Sequence, residues 1–391
     1  MLELPPNLEN AIREVLKILP TKQWVSAAQT LSQRYRGDRE TLPRSFARGD
    51  EQTLAYLAQI FPATYAQLYG AMAATKAQAP DWSPQSLLDL GSGPGTALWA
   101  AIAHWPTLTH LEAWERETAF IAVAKKLAQA SEHAAIQNCL WQKIDLRQQL
   151  VQNGRVFDLV VIGHVLNELN ADDQLRLVDY AWKHCAGVLL LVEPGTSAAF
   201  PAIKNAREQL LKLGARTLAP CPHEQPCPLV DDWCHFPQRL QRPHFQRRAK
   251  GALSQWEDCK FSYAALARFA PAHVPWARVI REPVVTKVYA EALICTADGI
   301  VPHREEKKNR EAFMQVKKLL WGAKLETQQP LTSSPIETIK NHKNCLTKFM
   351  AFAIMVNSKL GFTCRDLKIG CARNSFKSQK RFDKTKLLWW I

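Results

Sequence analysis

Between residues 219 and 236 the chain reads APCPHEQPCPLVDDWCHF. Cys221, Cys227 and Cys234 are separated by five and six residues, and Cys295 stands far downstream in LICTADG. Four thiolates can hold a tetrahedral zinc ion or a [4Fe-4S] cluster. The tight cysteine pairs of common zinc knuckles do not occur here. Prolines beside Cys221 and Cys227 stiffen the loop and remove competing N–H donors. On spacing alone, buried unpaired cysteines explain the pattern as well as a metal does.

The second chemistry-bearing stretch is a glycine loop, Asp89-Leu-Gly91-Ser-Gly93-Pro-Gly95-Thr96, after the apolar run SLLDL. Glycines let the backbone turn sharply and approach a ligand, and a helix start adds unpaired N–H groups. The dinucleotide fingerprint has its third glycine at the sixth position. Here the sixth position is Thr96 and the fifth is Gly95, which favours the acidic-x-Gly-x-Gly-x-Gly loop of S-adenosylmethionine (SAM) enzymes. Asp89 would order the loop and meet the methionine ammonium. Glu115 would accept hydrogen bonds from ribose hydroxyls, and Asp145 would face the adenine amine. A bare strand-to-helix turn is the alternative.

These residues need elements to position them. Residues 1–80 carry helical spacing (Leu4, Leu8, Ile12, Val15, Leu16; Leu54, Leu57, Ile60, Phe61) and no catalytic motif. From residue 86, strand candidates in SLLDL, 109–117, 157–169 and 187–195 alternate with helical segments 96–104, 118–130, 171–185 and 198–213. That alternation predicts an α/β fold with a mostly parallel sheet covered on both faces. Further on, 261–269 reads as an aromatic helix, 277–296 as strands closing the core, and 303–321 as a charged helix. The expected organisation is a helical region at 1–80, a SAM-binding core at 81–218, a Cys-rich basic insertion at 219–270, closing elements at 271–322 and a weakly ordered basic tail at 323–391.

The net charge is +14, and residues 323–391 hold 13 Lys and Arg against 4 Asp and Glu. A basic balance suits a polyanionic partner or simply a solvated surface. The denser feature is QRLQRPHFQRRAKG, where Arg239, Arg242, Arg247, Arg248 and Lys250 are interleaved with His244 and Phe245, a composition suited to RNA phosphates and bases. The start, MLELPPNLENAIREVLKIL, has early acids and no apolar h-region, and no run has the length of a membrane span. The expectation is a cytoplasmic monomer without membrane contact, its ten cysteines being thiols or metal ligands.

The ordered set LLDLGSGPGTALWA, FDLVVIGHVLNEL, LLLVEPGT, APCPHEQPCPL, DWCHFPQRL, KFSYAAL and ICTADG resembles the small-ribosomal-subunit-associated methyltransferase-like family, over roughly residues 1–322. The resemblance implies a SAM-methyltransferase Rossmann-like fold with a cysteine-rich metal-binding insertion. It also implies a role in small-subunit assembly and translation, with rRNA and ribosomal proteins as partners. It maps a [4Fe-4S] cluster onto Cys221, Cys227, Cys234 and Cys295; zinc is the alternative. Cys139 and Cys185 read as packing residues, and His223 and His235 as neighbours of the centre or surface residues, with a ligand role as the alternative.

Methyl transfer depends mostly on positioning. The Asn/Asp-Pro-Pro-aromatic motif of amino-group methyltransferases is absent after the fourth strand, where the chain reads GHVLNEL. His164, Asn167 and Glu168 are weak catalytic candidates, better explained by capping and loop hydrogen bonds. Three readings remain open: an assembly factor that binds SAM and rRNA, an active rRNA methyltransferase, and a small-molecule methyltransferase with structural zinc.

Overall fold

Helical spacing over the first eighty residues resolves into α1 (Pro6–Leu16), α2 (Thr21–Arg36), α3 (Asp50–Gln59) and α4 (Phe61–Lys76). Pro6 opens α1, where a missing N–H costs nothing, and Leu8, Ile12, Val15 and Leu16 are buried on one stripe. α4 instead is buried on more than one side, Phe61, Tyr65, Leu68 and Met72 on one face and Pro62, Ala66 and Gln67 on others, because it is sandwiched between other elements. The structure is a computed structural model that describes residues 1–36, 49–148, 150 and 154–327. The expected tail lies outside the described residues from 328 onward.

The central layer is built by β1 (Ser86–Leu90), α5 (Thr96–His104), β2 (His110–Glu115), α6 (Thr118–Ala128), α7 (Ala134–Gln137), β3 (Leu140–Lys143), β4 (Phe157–Gly163), α8 (Ala171–Lys183), β5 (Cys185–Pro194), α9 (Phe200–Lys212), β6 (Arg216–Ala219), β7 (Phe236–Gln241), α10 (His244–Lys250) and β8 (Trp256–Ala267). The strand order is β3-β2-β1-β4-β5-β8-β6, with β7 also on β8. β1 to β5 are parallel and β8 is antiparallel to β5. This mixed sheet is a SAM-methyltransferase Rossmann-like fold. Alternate residues serve opposite faces. Leu87, Leu159 and Val161 pack with Met72 and Leu98, while Leu88, Val160 and Ile162 pack with Leu177 and Ile203.

β6 and β7 both run antiparallel to β8 and share its free edge. β6 pairs with its C-terminal half and β7 with its N-terminal half. The cysteine stretch is therefore an excursion that leaves this edge after Ala219 and rejoins it at Phe236. The segment 261–269, expected as a helix, lies mostly in β8. FSYAALA is buried on both faces, so it lacks the period-two signal that marks a strand.

A second sheet combines β9 (Ala277–Val279), β10 (Val284–Val285), β11 (Tyr289–Thr296), β12 (Gly299–Glu306) and β13 (Lys324–Leu325) with α11 (Arg310–Lys317). Its order is β10-β11-β9-β13, with β12 on β11, around Val279, Ile294 and Phe313. The strands expected to close the core thus form a separate sheet, and the charged helix starts only at Arg310 because 299–306 pairs with β11. Among the described residues no helix is long and apolar enough to cross a membrane.

Candidate functional site

Asp89 lies near the end of β1 beside the glycine loop, only 2% exposed. Burial first, and Glu115 second, push its carboxyl up to about 8. Its Oδ2 and the Ser92 Oγ are buried without a hydrogen-bond partner. Gly91, Gly93 and Gly95 all have φ between 53° and 85°. A Cβ at Gly91 would meet Val165 Cγ2 at 2.4 Å and one at Gly95 would meet Trp141 at 3.0 Å, whereas Gly93 faces open space up to the Tyr56 hydroxyl at 4.0 Å. The loop is therefore packed beneath and open above at Gly93. Two buried acceptors without donors, beside an open glycine backbone, fit the ammonium end of a SAM-like ligand.

Glu115, near the buried end of β2, accepts from Gly93 N at 2.8 Å and from Glu117 N at 2.7 Å. Burial raises its pKa and these backbone donors oppose the rise. The side chain fixes the loop and still has lone pairs to offer. Asp145 is bound by its neighbour instead: Arg147 Nε donates to Oδ1 at 2.9 Å and holds its pKa down.

Tyr56 of α3 carried no signal in the sequence. Its ring packs on Phe120 with centroids 4.8 Å apart, and its hydroxyl lies in the field of Glu168, Glu115 and Asp89. His164 has φ 61° and donates its backbone N–H to Val192 O at 2.8 Å. Burial lowers its imidazole to about 4, so the ring is neutral at pH 7. The Asn167 side-chain amide donates to the fully buried Glu193, which also accepts from Leu166 N at 2.8 Å. Asn167 thus braces β5, and Glu168 is exposed.

Cys221, Cys227, Cys234 and Cys295 line one cavity of about 40 Å³, together with His223, Arg207, Phe200, Ile203 and Tyr263. Cys295 arrives on β11, paired with Arg278 of β9, and Arg278 Nε donates to Pro220 O at 2.9 Å. Arg207 of α9 donates to His223 O at 2.6 Å and Gln225 O at 3.1 Å, and Ser262 Oγ to Cys234 O at 2.7 Å. His223 Nε2 stands 3.3 Å from Cys295 Sγ. Burial, then Cys221 and Cys227, push Cys295 up to about 12, and burial raises Cys234 well above the ordinary thiol range. Among the described residues no three His, Cys, Asp or Glu side chains are grouped closely enough to hold a single metal ion. Cavity and grouping point in different directions. Tetrahedral zinc needs four sulfurs within about 4 Å of one another, whereas a cubane cluster spreads its cysteines wider. Four cysteine thiols at one cavity are the donor number of a cubane cluster, and the lack of a close grouping counts against a single ion. Cys185 and Cys259 are buried in the main sheet, away from this cavity.

The basic segment is mostly neutralised. Arg239 forms two bonds to Asp258, at 2.7 and 2.8 Å, and stacks on Trp256. Arg242 and Lys250 share Glu257. Arg247 is half-buried and Arg248 exposed.

The family described as "Mitochondrial small ribosomal subunit Rsm22" matches residues 50–326. The human ribosome assembly protein METTL17, mitochondrial, is 28% identical over 300 residues, covering 72% of this chain and 64% of that protein. The Schizosaccharomyces pombe Rsm22-cox11 tandem protein 2, mitochondrial, is 26% identical over 356 residues, covering 75% of this chain and 46% of that protein. The chain thus spans less than two thirds of the length of either relative. Among solved structures, magnesium protoporphyrin IX methyltransferase from Synechocystis with bound SAM aligns at 12% identity and a TM-score of 0.36, covering 65% of this chain and 97% of that one. A likeness that weak says nothing of ligand or substrate. The expectation of a cytoplasmic location is corrected by these findings, since the matched family and both relatives are mitochondrial by description. With most of its length matched, from the start of α3 to the last strand of the small sheet, the chain belongs to the family described as mitochondrial small ribosomal subunit Rsm22.

Proposed function

We propose that this protein is an assembly and translation factor of the small ribosomal subunit that binds rRNA, holds SAM at the glycine loop and carries a [4Fe-4S] cluster on Cys221, Cys227, Cys234 and Cys295. The observation that carries the cluster is that three thiols of the excursion and one from β11 line a single cavity. Bound there, a cluster would tie the excursion on β8 to β11; its role in this reading is structural or sensing. His223 and Arg207 close the cavity around the thiols.

For SAM, the support is the unpartnered Asp89 Oδ2 and the open side of Gly93. Asp89 takes the ammonium, Gly91 and Gly95 shape the turn, and Glu115 holds Gly93 while accepting from the ribose. Asp145 has no role, being held by Arg147. Methyl transfer is the lesser reading, because Asn167 is spent on Glu193 and His164 is a half-buried neutral ring.

The test is purification without oxygen followed by gradient sedimentation with small subunits. The protein is expected to be brown, with iron and sulfide in equal amount, and to travel with the subunit. Colourless protein with one zinc defeats the cluster; protein that stays at the top of the gradient defeats the ribosomal role.

A further inference from the structure

We propose that the groove between the α1–α2 corner and α10 is a binding pocket for a backbone phosphate of RNA; this rests on the rRNA reading above and gives it an address. The cavity measures about 470 Å³, and its walls include Arg13, Lys17, Trp24, His244, Phe245 and Arg248. Three independent features converge on it. First, Thr21 begins the 16-residue helix α2, whose first turn holds no acidic residue, so the helix start adds positive potential. Second, Arg248 has no ion-pair partner among the described residues, and Arg13 and Lys17 pair only with Glu9 and Glu14 of their own helix. Exposed pairs of that kind contribute little and yield readily to a phosphate. Third, His244 is exposed on the α10 wall beside Arg248, where its ring can donate an N–H to an oxygen ligand.

The two walls share one rigid base. Leu2 N donates to Arg239 O at 3.2 Å and Gln241 N to Leu2 O at 2.8 Å, tying the N-terminal segment to β7, which leads into α10. The pocket is thus preformed. Among the described residues the lining carries Arg13, Lys17 and Arg248 and no acidic side chain, a charge balance suited to a phosphate.

The test uses the purified full chain and a fluorescein-labelled RNA hairpin of about 16 base pairs with a single-stranded loop, followed by anisotropy across a potassium chloride series. Arg248→Ala is expected to weaken binding about tenfold and to make the salt slope shallower by about one. His244→Ala, at an exposed position on the same wall, is expected to weaken binding several-fold with an unchanged melting temperature. If wild type binds and Arg248→Ala and His244→Ala bind as tightly with the same slope, the pocket is refuted while the RNA reading stands. If wild type binds no hairpin, the RNA reading falls and takes the pocket with it. A decaglutamate peptide that displaces the hairpin at equal concentration overturns the assignment to RNA.

Discussion

Arg207→Ala should open the cysteine loop while leaving the sheet intact. Arg207 is 3% exposed on α9, and its guanidinium holds the carbonyls of His223 and Gln225. A hydrogen bond to a charged group contributes about 1.5–3 kcal/mol. Two such bonds, less the relief of no longer burying a cation, make loop closure weaker by about 3 kcal/mol. At about 1.4 kcal/mol per tenfold, the open population rises by about 150-fold. The assay is iodoacetamide labelling of metal-free, reduced protein, read per cysteine by mass spectrometry. When closing outpaces alkylation, the rate follows the open population. Cys234 is expected to label about a hundredfold faster in Arg207→Ala than in wild type, with Arg207→Lys between them. Cys259, buried in β8, is the internal control. An unchanged Cys234 rate, or a parallel rise at Cys259, refutes the reasoning: the first means Arg207 does not hold the loop, the second that the whole sheet has come apart.

Asp89 gives a pH signature in ligand-free protein. Its carboxyl titrates near 3.8 when unfolded and about 8 when folded, so the fold favours the protonated form. Its contribution is whole below pH 4 and is lost as the pH rises through 8. Asp89→Asn mimics the protonated state and should melt progressively higher than wild type from pH 5 to 8, the gap levelling off above that; a constant gap in melting temperature between pH 5 and 8 counts against the buried, donor-free carboxylate. Glu257→Gln should release Arg242 and Lys250, lower thermal stability, and steepen the salt dependence of RNA binding by about one to two. An identical slope would mean those side chains do not reach RNA even when freed.

What could be read from residue order was set by how local the determinants are. The glycine loop and the runs leading to β1, β2, β4 and β5 were legible because an apolar strand, a turn and a helix start follow within a dozen residues. β8 was not, since its period-two pattern vanishes when both faces are buried. The small sheet was hidden because β9 and β11 are joined only through pairings that no local spacing encodes. Arg239, Arg242 and Lys250 formed a conspicuous basic run, yet Glu257 and Asp258, which neutralise them, arrive on the neighbouring strand. Tyr56 was invisible for the opposite reason: nothing in α3 marks it until the fold brings the glycine loop beneath it.

Because the cysteine excursion departs from and returns to one edge of β8, no ladder pairing of the main sheet crosses it. Chemical injury to its thiols can therefore disorder the excursion while every strand of the main sheet keeps its partners.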